Sequence, residues 1–335
     1  MEKLKKELNP NIKQIYNALK NTNINNIFYV ASGGSLAVMY PTKYFLDSYT
    51  KNLSSDCYNS DEFVYRNPKK LSNDSLVILC SQTGTTKETV NASKFANDHG
   101  ATTIGLTVDT ESPLAKEVDF IIEFESSYTT GIPINSFNSN YSLLYQLNSI
   151  LLRLFDDVDK VNKLVGSLYN IQNVIDKAKS EYQSYFNKFA KIYEKEKVIY
   201  TMASGSNYGA AYSFAICVLM EMQWIHSHAI HSGEFFHGPF EVFDDEVPFI
   251  LFMSKKETRE IDKRAYEFLK NYGDINKIMV IDSKDFNFNG IDEEFEEFLT
   301  PLISFDILWD FAYLLAEKRE HPMLTSRRYM NKVKY

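Results

Sequence analysis

Cysteine is scarce in this chain: Cys57, Cys80 and Cys217 are the only three in 335 residues. An odd number at such wide spacing builds neither a disulfide framework nor a Cys-rich zinc site. No apolar run reaches the roughly 18 uninterrupted residues that a spanning helix needs. The first residues, Met1 to Asn11, are charged and lack the apolar stretch of a signal peptide. There is no Lys/Arg block, and the net charge of −8, from 36 basic against 44 acidic residues, argues against nucleic acid as the main partner. These absences predict a cytoplasmic protein with no nucleic-acid and no membrane partner. They leave room for a phosphorylated small molecule, which backbone amides in a local pocket can hold.

What is present suits a globular α/β protein. Hydrophobic residues make up 44% of the chain, enough for a sizeable core. The 22 Tyr and 24 Phe read as core and interface material, because no aromatic stripe alternates with basic residues. Ile27 to Ser35 (IFYVASGGS) and Val198 to Ser206 (VIYTMASGS) resemble each other, each a β-branched and aromatic run ending in a small-residue turn. Such runs predict buried strands of a parallel sheet. Helical patterns follow both turns, over Leu36–Ser48 and Tyr208–Met222. The first half continues with strands over 76–80, 102–108 and 120–124 and helices over 87–99 and 112–116. The second half has strands over 248–253 and 277–282 and helices over 257–271 and 305–318. Helical segments at 142–155 and 161–193 separate the halves, and no Pro/Gly-rich linker does. The chain thus reads as a duplicated α/β unit at a spacing of about 170 residues, with domains expected at 1–160 and 161–335.

Two turns in the first half are candidate anion sites. Ser81-Gln82-Thr83-Gly84-Thr85-Thr86 follows a strand and opens a helix, where free N–H groups and the positive dipole end favour an anion. Gly84 lets the backbone turn closely, and there is no Walker lysine. The same residues would also serve as ordinary caps and turns. Ser32-Gly33-Gly34-Ser35 carries the same two readings. The counterpart in the second half, Ser254-Lys255-Lys256-Glu257, lacks the hydroxyl cluster, so the phosphate is expected on the first half alone.

The acid–base candidates lie in the second half. Glu221 interrupts an apolar helical stretch, FAICVLMEMQW, so its carboxylate must face solvent, a partner or a cavity, and burial would raise its pKa. Four of the six His, at 226, 228, 231 and 237, fall within twelve residues. A zinc site would want three ligands at constrained spacing with supporting partners, and no metal is expected here. Glu234 and His237 sit in SGEFFHGP, a Gly-bounded loop suited to a catalytic wall.

These motifs carry a resemblance. A Glu followed after fifteen residues by a His, ending in G-E-x-x-H-G-P, looks like the second domain of the sugar isomerase (SIS) family as found in the isomerase half of glucosamine-6-phosphate synthase. SQTGTT resembles that family's phosphate loop, with Thr83 in place of the usual Ser, and ASGGS resembles its first Gly/Ser turn. Within the family, EMQWIHSHAIHSGEFFHGPFEV and the terminal SRRYMNKVKY resemble the fructosamine 6-phosphate deglycases. The resemblance implies two tandem SIS domains, each a flavodoxin-like parallel sheet flanked by helices. It implies Glu221 and His237 as catalytic carboxylate and histidine. Ser32, Gly33, Gly34, Ser35, Ser81, Gln82, Thr83, Thr86, Glu234 and Tyr335 follow as substrate and phosphate contacts. It also implies no cofactor, and a homodimer or higher homo-oligomer in which the His237 loop reaches the neighbouring subunit's pocket.

The expected reaction is deglycation of a 6-phosphorylated fructosamine to glucose 6-phosphate and an amine. The alternatives are an aldose–ketose or amino-sugar phosphate isomerase and a non-catalytic sugar-phosphate sensor. Synthase-type domains carry a glutamate and a lysine seven and three residues before the catalytic Glu, where this chain has Phe214 and Val218. No glutaminase half and no helix-turn-helix is expected ahead of the first strand, about residue 25.

Overall fold

The computed structural model describes residues 7–126 and 134–324. The chain divides into two compact units, Met1–Gln172 with Gly290–Phe295, and Asn173–Asn289 with Glu296–Tyr335. The division falls twelve residues beyond the expected boundary at 160/161, because Val161–Leu168 belongs with the first unit. Leu164, Val165 and Leu168 are fully buried there. Asp292 N–H donates to Ser167 Oγ (2.9 Å), Asn170 Nδ2 donates to the Gly290 carbonyl (3.0 Å), and Lys160 pairs with Glu294.

In the first unit, α1 (Pro10–Leu19) starts on an Asn9 cap whose side chain accepts from Asn11 N–H, with Pro10 at the first helical position. Five parallel strands follow, β1 (Asn26–Ala31), β2 (Ser54–Asn59), β3 (Ser75–Cys80), β4 (Thr102–Thr107) and β5 (Phe120–Glu123), in the order β2-β1-β3-β4-β5. The crossovers are α2 (Gly34–Tyr49), α3 (Ser60–Arg66), α4 (Lys87–Asp98) and α5 (Pro113–Glu117). Every residue of β3 is buried, as a central parallel strand covered on both faces requires. In the register of β1 with β3, Ala31 lies opposite Cys80, so the turns after the two strands begin at the same level. A buried polar link ties the sheet to the helices: Tyr29 OH donates to Asn148 Oδ1 (2.7 Å), and Asn148 Nδ2 donates to the Thr42 carbonyl (2.7 Å). Asn148 is carried by α6 (Asn140–Phe155), after which come α7 (Val161–Leu168) and α8 (Ile171–Tyr193).

The second unit repeats the plan with four parallel strands, β6 (Tyr200–Ala203), β7 (Ala229–His231), β8 (Phe249–Met253) and β9 (Ile278–Asp282), in the order β7-β6-β8-β9. Its helices are α9 (Tyr208–Ser213), continued by a π-helical stretch over Phe214–Met220, then α10 (Arg259–Tyr272) and α11 (Glu296–Lys318). Among the described residues, α11 alone is long and apolar enough to cross a membrane by length and composition, and most of it is buried inside the protein. Phe311 on α11 is fully buried, with ring centroids 5.7 Å from Phe186, 6.1 Å from Tyr193 and 6.1 Å from Phe214.

Phe311→Ala is expected to cost about 3–5 kcal/mol of unfolding free energy, the range for removing a buried aromatic ring from a close-packed core. Urea unfolding followed by circular dichroism measures it, and a loss below about 1 kcal/mol would show that this cluster is not a keystone of the second core.

Candidate active site

In an open parallel sheet of order 2-1-3-4, the chain leaves the first and third strands in opposite directions and opens a crevice at their carboxyl ends. The Ser32–Ser35 turn follows β1 and the Ser81–Thr86 loop follows β3, so both expected phosphate segments flank that crevice. The first turn reaches the root of the second loop: the Ser35 hydroxyl hydrogen-bonds the thiol of Cys80, the last residue of β3. Burial pushes that thiol up to about 12, so at neutral pH it is an uncharged neighbour and not a nucleophile.

The loop after β3 is held in place through its carbonyls. Gln82 O accepts from Thr107 Oγ1 (3.0 Å) and from Val108 N–H (2.9 Å), and Gly84 O accepts from Leu114 N–H (3.0 Å). Gly84 has φ +66°, and a Cβ there would lie 2.0 Å from Ser112 Oγ, so only glycine fits. Ser81 and Thr86 face each other across the loop, hydroxyl to hydroxyl at 2.9 Å. Thr83 Oγ1 lies 2.7 Å from Thr85 Oγ1, on the exposed side. The Thr86 side chain makes no cap hydrogen bond to the first-turn amides of α4. Among the described residues, no carboxylate accepts from Ser81, Thr83, Thr85 or Thr86. Gly33 turns the other segment at φ +58°, in open space. Asn59, at the end of β2, donates from Nδ2 to Ser32 Oγ (3.3 Å) and also caps α3 through Asp61 N–H (3.1 Å). Sequence reasoning missed Asn59, although Asn-Ser-Asp-Glu is a helix-start signal that points to it.

Glu221 stands at the end of the π-helical stretch and is half-buried. Its N–H bonds the Ile216 carbonyl five residues back (3.1 Å), a wider turn than the α-helical one. The wider turn alters the direction in which residue 221 leaves an otherwise apolar helix, and π-turns of this kind recur at functional sites. Two devices fix the turn after it. Trp224 takes φ +55°, a left-handed conformation that a bulky residue adopts only when its surroundings demand it. Gln223 donates to the His321 carbonyl (3.1 Å), while Arg319 donates to the carbonyls of Glu194 (3.1 Å), Glu196 (3.0 Å) and Gln223 (3.4 Å). Phe214 and Val218, at the positions where synthase-type domains carry charge, are both buried.

Glu234 and His237 lie on consecutive turns: Glu234 N–H bonds the His231 carbonyl (2.8 Å), and His237 N–H bonds the Glu234 carbonyl (2.9 Å). Between them Phe235 is fully buried against Phe249 (6.1 Å) and Phe268 (5.7 Å), and Phe236 receives the Arg264 guanidinium at 4.2 Å. The aromatic pair anchors the loop and leaves Glu234 and His237 exposed. The His237 imidazole has no hydrogen-bond partner among the described residues. Of the other clustered His, His231 accepts at Nδ1 from Gly233 N–H (3.1 Å), while His226 and His228 are exposed. Among the described residues, no group of three or more His, Cys, Asp or Glu is placed to hold a metal ion. The structure thus gathers the two Ser/Gly segments in the first unit, and it sets Glu221, Glu234 and His237 in the second. Tyr335, together with Arg327, Arg328 and Tyr329, lies outside the described residues.

This geometry has close counterparts. The chain is 45% identical over 98% of both lengths to the fructosamine deglycase FrlB of Bacillus subtilis (strain 168). It is 26% identical to the fructoselysine 6-phosphate deglycase of Escherichia coli (strain K12), over 97% of this chain and 92% of that one. A solved structure of a candidate phosphosugar isomerase from Bacillus subtilis superposes with a TM-score of 0.94 at 45% identity, covering 98% of each chain. The SIS domain model matches twice, over residues 22–150 and 192–288, which takes in every strand of both sheets. Two parallel sheets of one topology, each under its own match to that model, make the chain a member of the SIS domain family.

Proposed function

We propose that the chain is a deglycase that converts a 6-phosphorylated fructosamine and water to glucose 6-phosphate and a free amine or amino acid. The observation that carries the reading is the Ser81–Thr86 loop. Among the described residues its hydroxyls answer to no carboxylate, and it stands at the β1/β3 crevice of a chain 45% identical along 98% of its length to a fructosamine deglycase.

The roles follow from the chemistry. The loop after β3, with the Ser32–Ser35 turn beside it, takes the 6-phosphate on hydroxyls and helix-terminal amides. Glu221 acts as the base: it removes a proton from C1, an acid protonates O2, and a 1,2-enaminol forms. Return of a proton to C2 and loss of the nitrogen proton give an imine at C1, with a hydroxyl at C2. Water adds to C1 and the amine departs. His237 is the acid, since an imidazole is the side chain whose ordinary pKa lets it give and take a proton near neutrality. Glu234 and Tyr335 complete the substrate contacts. The buried apolar residues at 214 and 218 disfavour the isomerase alternative, which would use charge there. The protein acts in the cytoplasm, in keeping with three free cysteines.

The working unit is a homodimer with shared sites. What supports this is the His237 loop, exposed and anchored by Phe235, carrying an imidazole with no hydrogen-bond partner among the described residues.

Glu221→Gln is expected to abolish glucose 6-phosphate release, read with a coupled dehydrogenase, while unfolding stays unchanged. A general base contributes about 10²–10⁴-fold, so retention of more than roughly a tenth of the wild-type rate removes Glu221 from that role. Ser81→Ala with Thr86→Val is expected to raise KM for the phosphorylated substrate. Equal inhibition of variant and wild type by inorganic phosphate would show that the anion sits elsewhere. Mixing Glu221→Gln chains with His237→Ala chains is expected to restore about a quarter of wild-type activity, because half the dimers of a random assortment are mixed and each has one intact site. Confirmed exchange with no return of activity would place both residues in one chain's site.

A further inference from the structure

The second unit has the same strand order as the first, so it has the same crevice, between the loops after β6 and β8. Those loops are Ser204–Asn207, counterpart of Ser32–Ser35, and Ser254–Glu257, counterpart of Ser81–Thr86. Several of their donors are already engaged by two carboxylates of the chain itself. Glu297, in the first turn of α11, is 1% exposed. Its Oε2 accepts from the successive backbone amides of Lys255 (2.7 Å) and Lys256 (2.8 Å), and Ser206 Oγ donates between its Oε1 (3.2 Å) and its backbone carbonyl (3.1 Å). Asp262, on α10, is fully buried and accepts from Ser204 Oγ (2.6 Å), Ser232 Oγ (2.6 Å) and Ser254 N–H (2.9 Å).

Paired main-chain amides and a serine hydroxyl converging on one oxyanion are the contacts a strand–loop–helix crevice offers a phosphate. A carboxylate has the charge and two of the oxygens, and it reaches the amides from within the fold. The Lys255 ammonium does not complete the cradle. It is drawn to Glu296 Oε2 (2.6 Å) and lies over the Phe288 ring (4.1 Å).

We infer that the β6/β8 crevice is a second oxyanion site, built like the phosphate site of the first unit and filled by the chain's own Glu297. Removing that carboxylate opens it to a tetrahedral oxyanion such as inorganic phosphate. The first unit takes its anion from the substrate, and the second carries its anion as a fixed part of α11. That comparison rests on the reading of the Ser81–Thr86 loop as a phosphate site. The existence of the filled site does not.

Equilibrium dialysis of the full chain against labelled inorganic phosphate reads both sites by stoichiometry. Wild type is expected to bind one phosphate per chain, and Ser81→Ala with Thr86→Val none. Glu297→Ala is expected to bind two, and the triple variant one. A Glu297→Ala chain that unfolds cooperatively and gains no phosphate over wild type overturns the inference. A gain from none to one on Glu297→Ala supports it and sinks the first-unit reading instead. Should Glu297→Ala fail to fold, Glu297→Ser is unfolded with urea in phosphate and in chloride of equal ionic strength. A phosphate-induced rise in midpoint that is larger for Glu297→Ser than for wild type supports the filled site, and an equal rise in the two overturns it.

Discussion

The structure depends on a constraint that parallel sheets impose. Strands that all point one way must be joined by crossovers, and where the order reverses, between β1 and β3 or between β6 and β8, two successive loops diverge and leave donors facing an open crevice. The amides at those strand and helix ends have no partner within the secondary structure. Something negative must meet them, whether water, a ligand or an acid from elsewhere in the chain. In the first unit the Ser and Thr hydroxyls pair with one another, and no carboxylate among the described residues accepts from them. The second meets that demand with Glu297 and Asp262, each buried and each accepting from a backbone amide and at least one serine.

The sheet framework was legible in the sequence because fully covered strands must be apolar throughout. Leu76–Cys80 was expected and Ser75–Cys80 is found, and the runs at 102–107 and 249–253 read equally well. What was illegible follows the same physics from the other side. β2 is Ser-Ser-Asp-Cys-Tyr-Asn at the edge of its sheet, half-covered, and gives no apolar run to notice. β7 is three residues long, too short for any period to emerge. α11 begins at Glu296, not near Phe305, because Pro301 in its second turn reads as a break, whereas a proline this near the N-terminus leaves few backbone bonds to lose.

For the candidate site, the residue types could be read from the sequence and their supports could not. The Gly84 turn and the hydroxyls around it announce themselves. Nothing local in FAICVLMEMQW shows the π-turn that carries Glu221, because that turn follows from what the segment packs against. Arg319 and His321, which hold the chain just past Glu221, lie about a hundred residues away in sequence. The aromatic excess was read as core and interface. Part of it has a more specific use: Phe235 and Phe236 anchor the loop between Glu234 and His237, whose polar side chains stand in solvent without a hydrogen-bond partner among the described residues.

Under the proposed function, the two copies of one unit hold charge in opposite ways. A phosphate bound on amides and hydroxyls is strongly stabilised but exchangeable, which suits a substrate handle that must leave with the product. An acid delivered by a buried helix turn meets the same amides permanently. It costs desolvation, and burial raises the Glu297 pKa above the ordinary carboxylate value even though the Lys256 and Lys255 amides and Ser206 pull the other way. That a fold keeps a carboxylate in such surroundings implies that the amides need it more than the carboxylate needs water. Duplication supplied two crevices. Glu297 closes the second of them, and in the first no carboxylate among the described residues stands in its place.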